Sequence, residues 1–136
     1  MNLNHFEKFL LKFASSFVLI LCIAFSFYIH IFGKSTPGGG FQAGALLASG
    51  IIIYEVANSI TIISKRTLNI LTFCGLTAYI TTGIFSIFFS GTLFEYQIFH
   101  PNFGHIIGSF AIETSILLVV TSAIIRISHS IQTIQG

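Results

Sequence analysis

Charge is what this chain has least of. Only 7% of its 136 residues are Asp, Glu, Lys or Arg, against 54% hydrophobic residues, and its mean hydropathy is +0.91. So few charges cannot cover a water-facing surface, which excludes a conventional soluble domain and makes the chain a membrane protein. Tryptophan is missing, while sixteen phenylalanines suit a lipid-facing surface. The two cysteines, Cys22 and Cys74, both fall inside apolar runs, so they read as small buried hydrophobes and not as a disulfide or metal pair. A formal charge of +2 is too small to point to nucleic acid. No ligand spacing for zinc appears, nor a nucleophile with a base at hand. Gly38, Gly39 and Gly40 lack the following lysine of a phosphate-binding loop. With no catalytic set, no cofactor site and no metal site, the sequence does not read as an enzyme.

What is there is a series of long apolar runs punctuated by the few charges. Phe13 begins a run to Phe32 free of formal charge. At 1.5 Å per residue it crosses a hydrocarbon core of about 30 Å, and it exceeds a secretory signal's apolar region. The residues before it, Met1 to Lys12, carry a weakly amphipathic face of Phe6, Phe9 and Leu10 and are expected to continue into the first helix. Further runs give spans over 41–63, 68–90 and 105–125, with turn residues His100, Pro101, Asn102 and Gly104 in the last connection. The expected fold is an all-α membrane protein of four transmembrane helices in two hairpins, one domain over 1–136. Lys8, Lys12, Lys65, Arg66 and Arg126 fall on one side of such an arrangement and Lys34 alone on the other. Cytoplasmic segments carry the excess of lysine and arginine, so both termini are expected in the cytoplasm.

Two acids stand inside the spans, Glu55 and Glu113. An ionised side chain in hydrocarbon costs several kcal/mol even on the mildest scale, so both need a reason to be there. Gly44, Ala48, Ile51 and Glu55 share one helical stripe, which Gly40 extends backwards. Small residues at this spacing let helices approach closely, so Gly44 and Ala48 are the expected helix-packing positions and Glu55 is expected in an interface. Gly75, Tyr79, Thr82 and Ser86 of the third span offer a polar surface to either acid. No lysine or arginine lies within a span. Each glutamate is therefore expected to be protonated, or to find its partner on another chain or in a bound cation. Counted from the outer ends of their spans, Glu113 lies about 12 Å deep and Glu55 about 21 Å, which argues against a carboxylate dyad. The bland alternative is a protonated glutamate fixing helix register. His30 and His105, at span ends, read as interfacial anchors before proton relays. His5, His100 and His129 fall in loops or tails with no visible partner.

Between the first two spans stand Thr36, Pro37, Gly38, Gly39, Gly40, Phe41 and Gln42, followed by Ala43 and Gly44. Proline and three glycines make a sharp reversal or a place of close backbone approach. A hairpin loop explains those residues but not the pair Phe41 and Gln42. The whole string resembles the signature of the MnhB (MrpB) family, small membrane subunits of the bacterial multisubunit Na⁺/H⁺ antiporter, and the resemblance covers nearly the whole chain in span layout. It implies a multi-pass protein of the bacterial cytoplasmic membrane, in a hetero-oligomeric complex with other antiporter subunits that exchanges Na⁺ and H⁺. Thr36 to Gln42 are the motif positions it carries over, and Glu55 and Glu113 are the ion-path candidates. Three functions compete: an antiporter subunit near the ion path, a purely structural subunit of that complex or of a related one such as a membrane-bound hydrogenase, and a small self-associating transporter.

Overall fold

A computed structural model describes residues 4–33, 39–90 and 104–135. The described residues form four α-helices, α1 (His5–Phe32), α2 (Gly40–Asn58), α3 (Lys65–Ser90) and α4 (Gly104–Gln135). Each is long and apolar enough to cross a membrane. α1 begins eight residues ahead of the apolar run at Phe13, because the Glu7 carboxylate accepts a 2.8 Å bond from the Asn4 N–H and closes the first turn. α4 continues far beyond Ile125, so the expected polar tail is helical to Gln135.

α2 stops at Asn58, five residues short of the apolar run's end at Ile63. Ser59 adopts a left-handed conformation at φ 52°. There the helix closes with bonds from the Ser59 N–H to the Val56 carbonyl (3.4 Å) and from the Ile60 N–H to the Glu55 carbonyl (3.1 Å). Ile60 to Ser64 then pass irregularly to α3, whose first turn is capped by the Ser64 hydroxyl accepting from the Thr67 N–H at 3.2 Å.

α2 packs between α1 and α4, and α4 between α2 and α3. The directions follow from the contacts. The Ser26 hydroxyl donates to the Ala43 carbonyl at 2.8 Å and the Asn58 amide donates to the Ser15 hydroxyl at 3.3 Å, so α1 and α2 are antiparallel. Thr72 and Ser122 share a 2.8 Å hydroxyl bond, and a Cβ on Gly75 would meet Ser115 and Val119, so α3 and α4 are antiparallel as well. α2 and α4, one from each hairpin, run parallel. A Cβ on Gly40 would overlap the Glu113 carbonyl, one on Gly44 would lie 2.8 Å from the Leu117 carbonyl, and the Thr121 hydroxyl donates to the Gly44 carbonyl at 3.1 Å. Ala48, one turn on, is fully buried with Leu68 and Ile125. Between apolar helices in lipid, such close backbone approach supplies van der Waals contact that larger residues would prevent. Both cysteines are free, but only Cys22 is even half-buried. Cys74 is exposed, not buried as expected, because α3 packs chiefly on α4 and leaves its other faces uncovered.

Candidate functional site

The α2–α4 seam ends in a buried pair of titratable groups. Glu55 stands one turn before the end of α2 and is 2% exposed; His129, on the C-terminal extension of α4, is 6% exposed. His129 Nε2 lies 2.8 Å from Glu55 Oε2. The other carboxyl oxygen, Oε1, accepts the backbone N–H groups of Ile62 at 2.8 Å and Ile63 at 3.3 Å. Two backbone donors on Oε1 and the imidazole on Oε2 therefore converge on one carboxyl group where water is excluded. The same bonds explain why the chain after Ser59 folds back: the acid of α2 supplies an acceptor to backbone N–H groups of the irregular connection, Ile62 and Ile63.

This geometry corrects the expectation that Glu55 finds no side-chain partner within its own chain. That partner is His129, a residue expected in a tail without partners. Nor does the polar surface of α3 serve Glu55; α4 does. The signal for His129 was present, since Ser122, Ile125 and His129 fall on one helical stripe and all three are buried. It is easily missed, because lysine and arginine are the obvious counter-charges and because the apolar run that marks the helix ends at Ile125.

His129 also has a wet side. An open cleft of about 560 Å³ borders it, lined among others by Thr61, Ser64, Lys65, Gln132 and Thr133. The imidazole thus stands between a buried carboxyl group and a polar opening at the end of the helix row, in contact with both.

Glu113 is elsewhere. Its backbone packs on Gly40, at the opposite end of α2 from Glu55 and about 22 Å away along the helix at 1.5 Å per residue. The side chain is partly exposed and no hydrogen-bond partner meets it among the described residues. The next residue, Thr114, serves His30. Its hydroxyl donates to the Phe110 carbonyl at 2.7 Å and faces His30 Nε2 at 3.1 Å, so Nε2 is the donor of that pair. His30 is 7% exposed and lies against the Phe110 ring, with centroids 4.8 Å apart. It is a buried link between α1 and α4 and not the interfacial anchor that its place at a span end suggested. The His105 side chain, Thr36, Pro37 and Gly38 fall outside the described residues. Of the rest of the motif, Gly39 precedes α2 at φ 143°, a conformation that L side chains rarely adopt, while Phe41 and Gln42 point outward. No group of three or more potential metal ligands occurs among the described residues.

Residues 10–126 match the domain related to the MnhB subunit of the Na⁺/H⁺ antiporter. The chain belongs to the MnhB family. Similar proteins include a putative antiporter subunit mnhB2 of Staphylococcus haemolyticus, 31% identical over 86% of this chain and 89% of that one. A Na(+)/H(+) antiporter subunit of Bacillus subtilis is 33% identical over 42% of this chain and 40% of its own length. An uncharacterized protein of Methanocaldococcus jannaschii is 32% identical over 85% of this chain but only 43% of its own length. No solved structure matches. Membership of the MnhB family and the four apolar helices together make this a multi-pass protein of the bacterial cell membrane.

Proposed function

We propose that the chain is a subunit of a multisubunit Na⁺/H⁺ antiporter and that Glu55 and His129 form a protonatable station beside the ion path, at the boundary with a larger subunit. The family and the names of its relatives support the complex. The observation that carries the finer reading is the buried Glu55–His129 pair with a polar cleft on its histidine side. The pair takes up or releases a proton as a cation passes, with His129 exchanging the proton at the cleft and Glu55 holding the charge inside. In this reading both termini and the pair lie on the cytoplasmic side, and Glu113, about 22 Å away along α2, is a separate contact and not part of the same carboxylate set.

The test is Glu55→Gln in the assembled complex, read in everted membrane vesicles as Na⁺-driven proton movement with a pH-sensitive dye. Glutamine keeps the shape and the acceptor for the Ile62 N–H but cannot ionise. Exchange is expected to vanish while the other subunits still co-purify with this chain. A second reading is a purely structural subunit, favoured by the carboxylate's role in holding the α2–α3 connection in place. Normal exchange in a fully assembled Glu55→Gln complex establishes that reading and ends the first.

A further inference from the structure

His30 is buried and only half satisfied. Its Nε2–H is given to the Thr114 hydroxyl at 3.1 Å, because that hydroxyl already donates to the Phe110 carbonyl. The other ring nitrogen, Nδ1, is enclosed and meets no hydrogen-bond partner. In this tautomer Nδ1 carries a lone pair, and an acceptor left bare away from water is costly. The Thr114 contact uses Nε2 alone, so a role in tying α1 to α4 does not account for the second nitrogen.

The surroundings narrow what can meet it. One turn before His30 the Ser26 hydroxyl donates to the Ala43 carbonyl. One turn after it, a Cβ on Gly33 would lie 2.8 Å from the Gly39 nitrogen, and one on Gly40 would overlap the Glu113 carbonyl. The ring therefore stands where α1, α2 and α4 converge, in a corner closed by glycine backbone. A buried water needs room and about two to four polar partners, whereas the hydroxyls of Ser26 and Thr114 already donate to carbonyls. A proton needs neither. The Phe110 ring, its centroid 4.8 Å from that of His30, is within cation–π reach of the imidazolium that a proton would create.

One acid stands at the same level. Glu113 directly precedes Thr114 on α4, and no hydrogen-bond partner meets its side chain among the described residues. The other acids described, Glu7 and Glu55, belong to the far end of the row. The start of α2 brings no titratable group, and Tyr28 of α1 is exposed and packs on Phe25 and Phe32. Lys34 and the His105 side chain fall outside the described residues. We propose that His30 is a second proton-binding site, at the opposite end of the row from Glu55: Nδ1 accepts a proton from a hydronium ion, which leaves as water, and Glu113 supplies the balancing charge. The inference gives the second intramembrane acid a role, and it stands whether or not Glu55 belongs to an ion path.

The test is nitrogen NMR of the assembled complex in which this chain alone carries isotope-labelled histidine and carbonyl-labelled isoleucine. Ile29–His30 is the one Ile–His pair in the sequence, which assigns the signal without a variant. As the pH falls through roughly 8 to 5, the window in which histidine changes charge, the Nδ1 shift should move from that of a bare ring nitrogen to that of an N–H. Glu113→Gln should cut the protonated fraction at the wild-type midpoint about threefold, the equivalent of about half a pH unit. Glu113→Asp, which keeps the charge, should restore it. An Nδ1 that stays bare across the window, as a bound water would leave it, or that is an N–H throughout, overturns the proton site. A protonated fraction that Glu113→Gln leaves unchanged overturns the pairing with the acid.

Discussion

Glu55 holds three hydrogen bonds from groups spread over two parts of the chain, and the value of each depends on the others. Removing His129 while leaving the acid strands a buried carboxyl group with two backbone donors on one oxygen and no partner for the other. Loss of one partner of a buried pair costs about 3 kcal/mol or more, whereas replacing both is far milder. His129→Ala should therefore lower the complex's thermal midpoint sharply, and Glu55→Gln with His129→Gln should recover most of it. The midpoint is followed by size-exclusion after heating. Additive losses in the double variant would mean that the two side chains act independently in spite of their 2.8 Å contact. At this scale only one member of the pair was legible in the sequence. The acid stood out, because a glutamate in an apolar run is costly wherever it points. The histidine did not, since a single imidazole in a polar-looking segment carries no such penalty and its burial depends on how far α4 extends.

At the scale of the helix, the seam between α2 and α4 is set by what is absent from Gly40 and Gly44. A methyl group on Gly40 would run into the backbone carbonyl of Glu113, which cannot rotate away as a side chain end would. On Gly44 the nearest atom, the Leu117 carbonyl, is 2.8 Å from the added carbon and a smaller shift suffices. Overpacking of this kind typically costs about 1–3 kcal/mol, the range expected here. Gly40→Ala should destabilise the chain more than Gly44→Ala, while Ser49→Ala, on the exposed face of the same helix, should change little; unfolding of the purified complex ranks the three. The spans and this small-residue stripe were visible in the sequence, because period and residue size are local properties. The end of α2 was not. Apolar residues continue to Ile63, and only the left-handed Ser59 and the Glu55 carboxyl, a tertiary arrangement, decide that the helix gives way at Asn58.

For the molecule as a whole, the antiparallel and parallel contacts place the start of α1, the α2–α3 connection and the end of α4 at one end of the row. The cations Lys8, Lys12, Lys65, Arg66 and Arg126 belong to those segments. From the excess of lysine and arginine we propose that this end faces the cytoplasm. In a chain with Cys22 and Cys74 replaced by alanine, Ser64→Cys and Gln132→Cys should each react with an impermeant maleimide in everted vesicles and not in intact cells. Labelling of both from intact cells would reverse the orientation, and labelling of one from each side would break the topology itself.

Glu55 precedes its mate by 74 residues. During synthesis the second span reaches the bilayer long before the fourth has emerged, and until then the Glu55 carboxyl has the Ile62 and Ile63 N–H groups but no imidazole. A product truncated after the third span would lack that last bond for good. The fourth helix supplies it when it settles alongside.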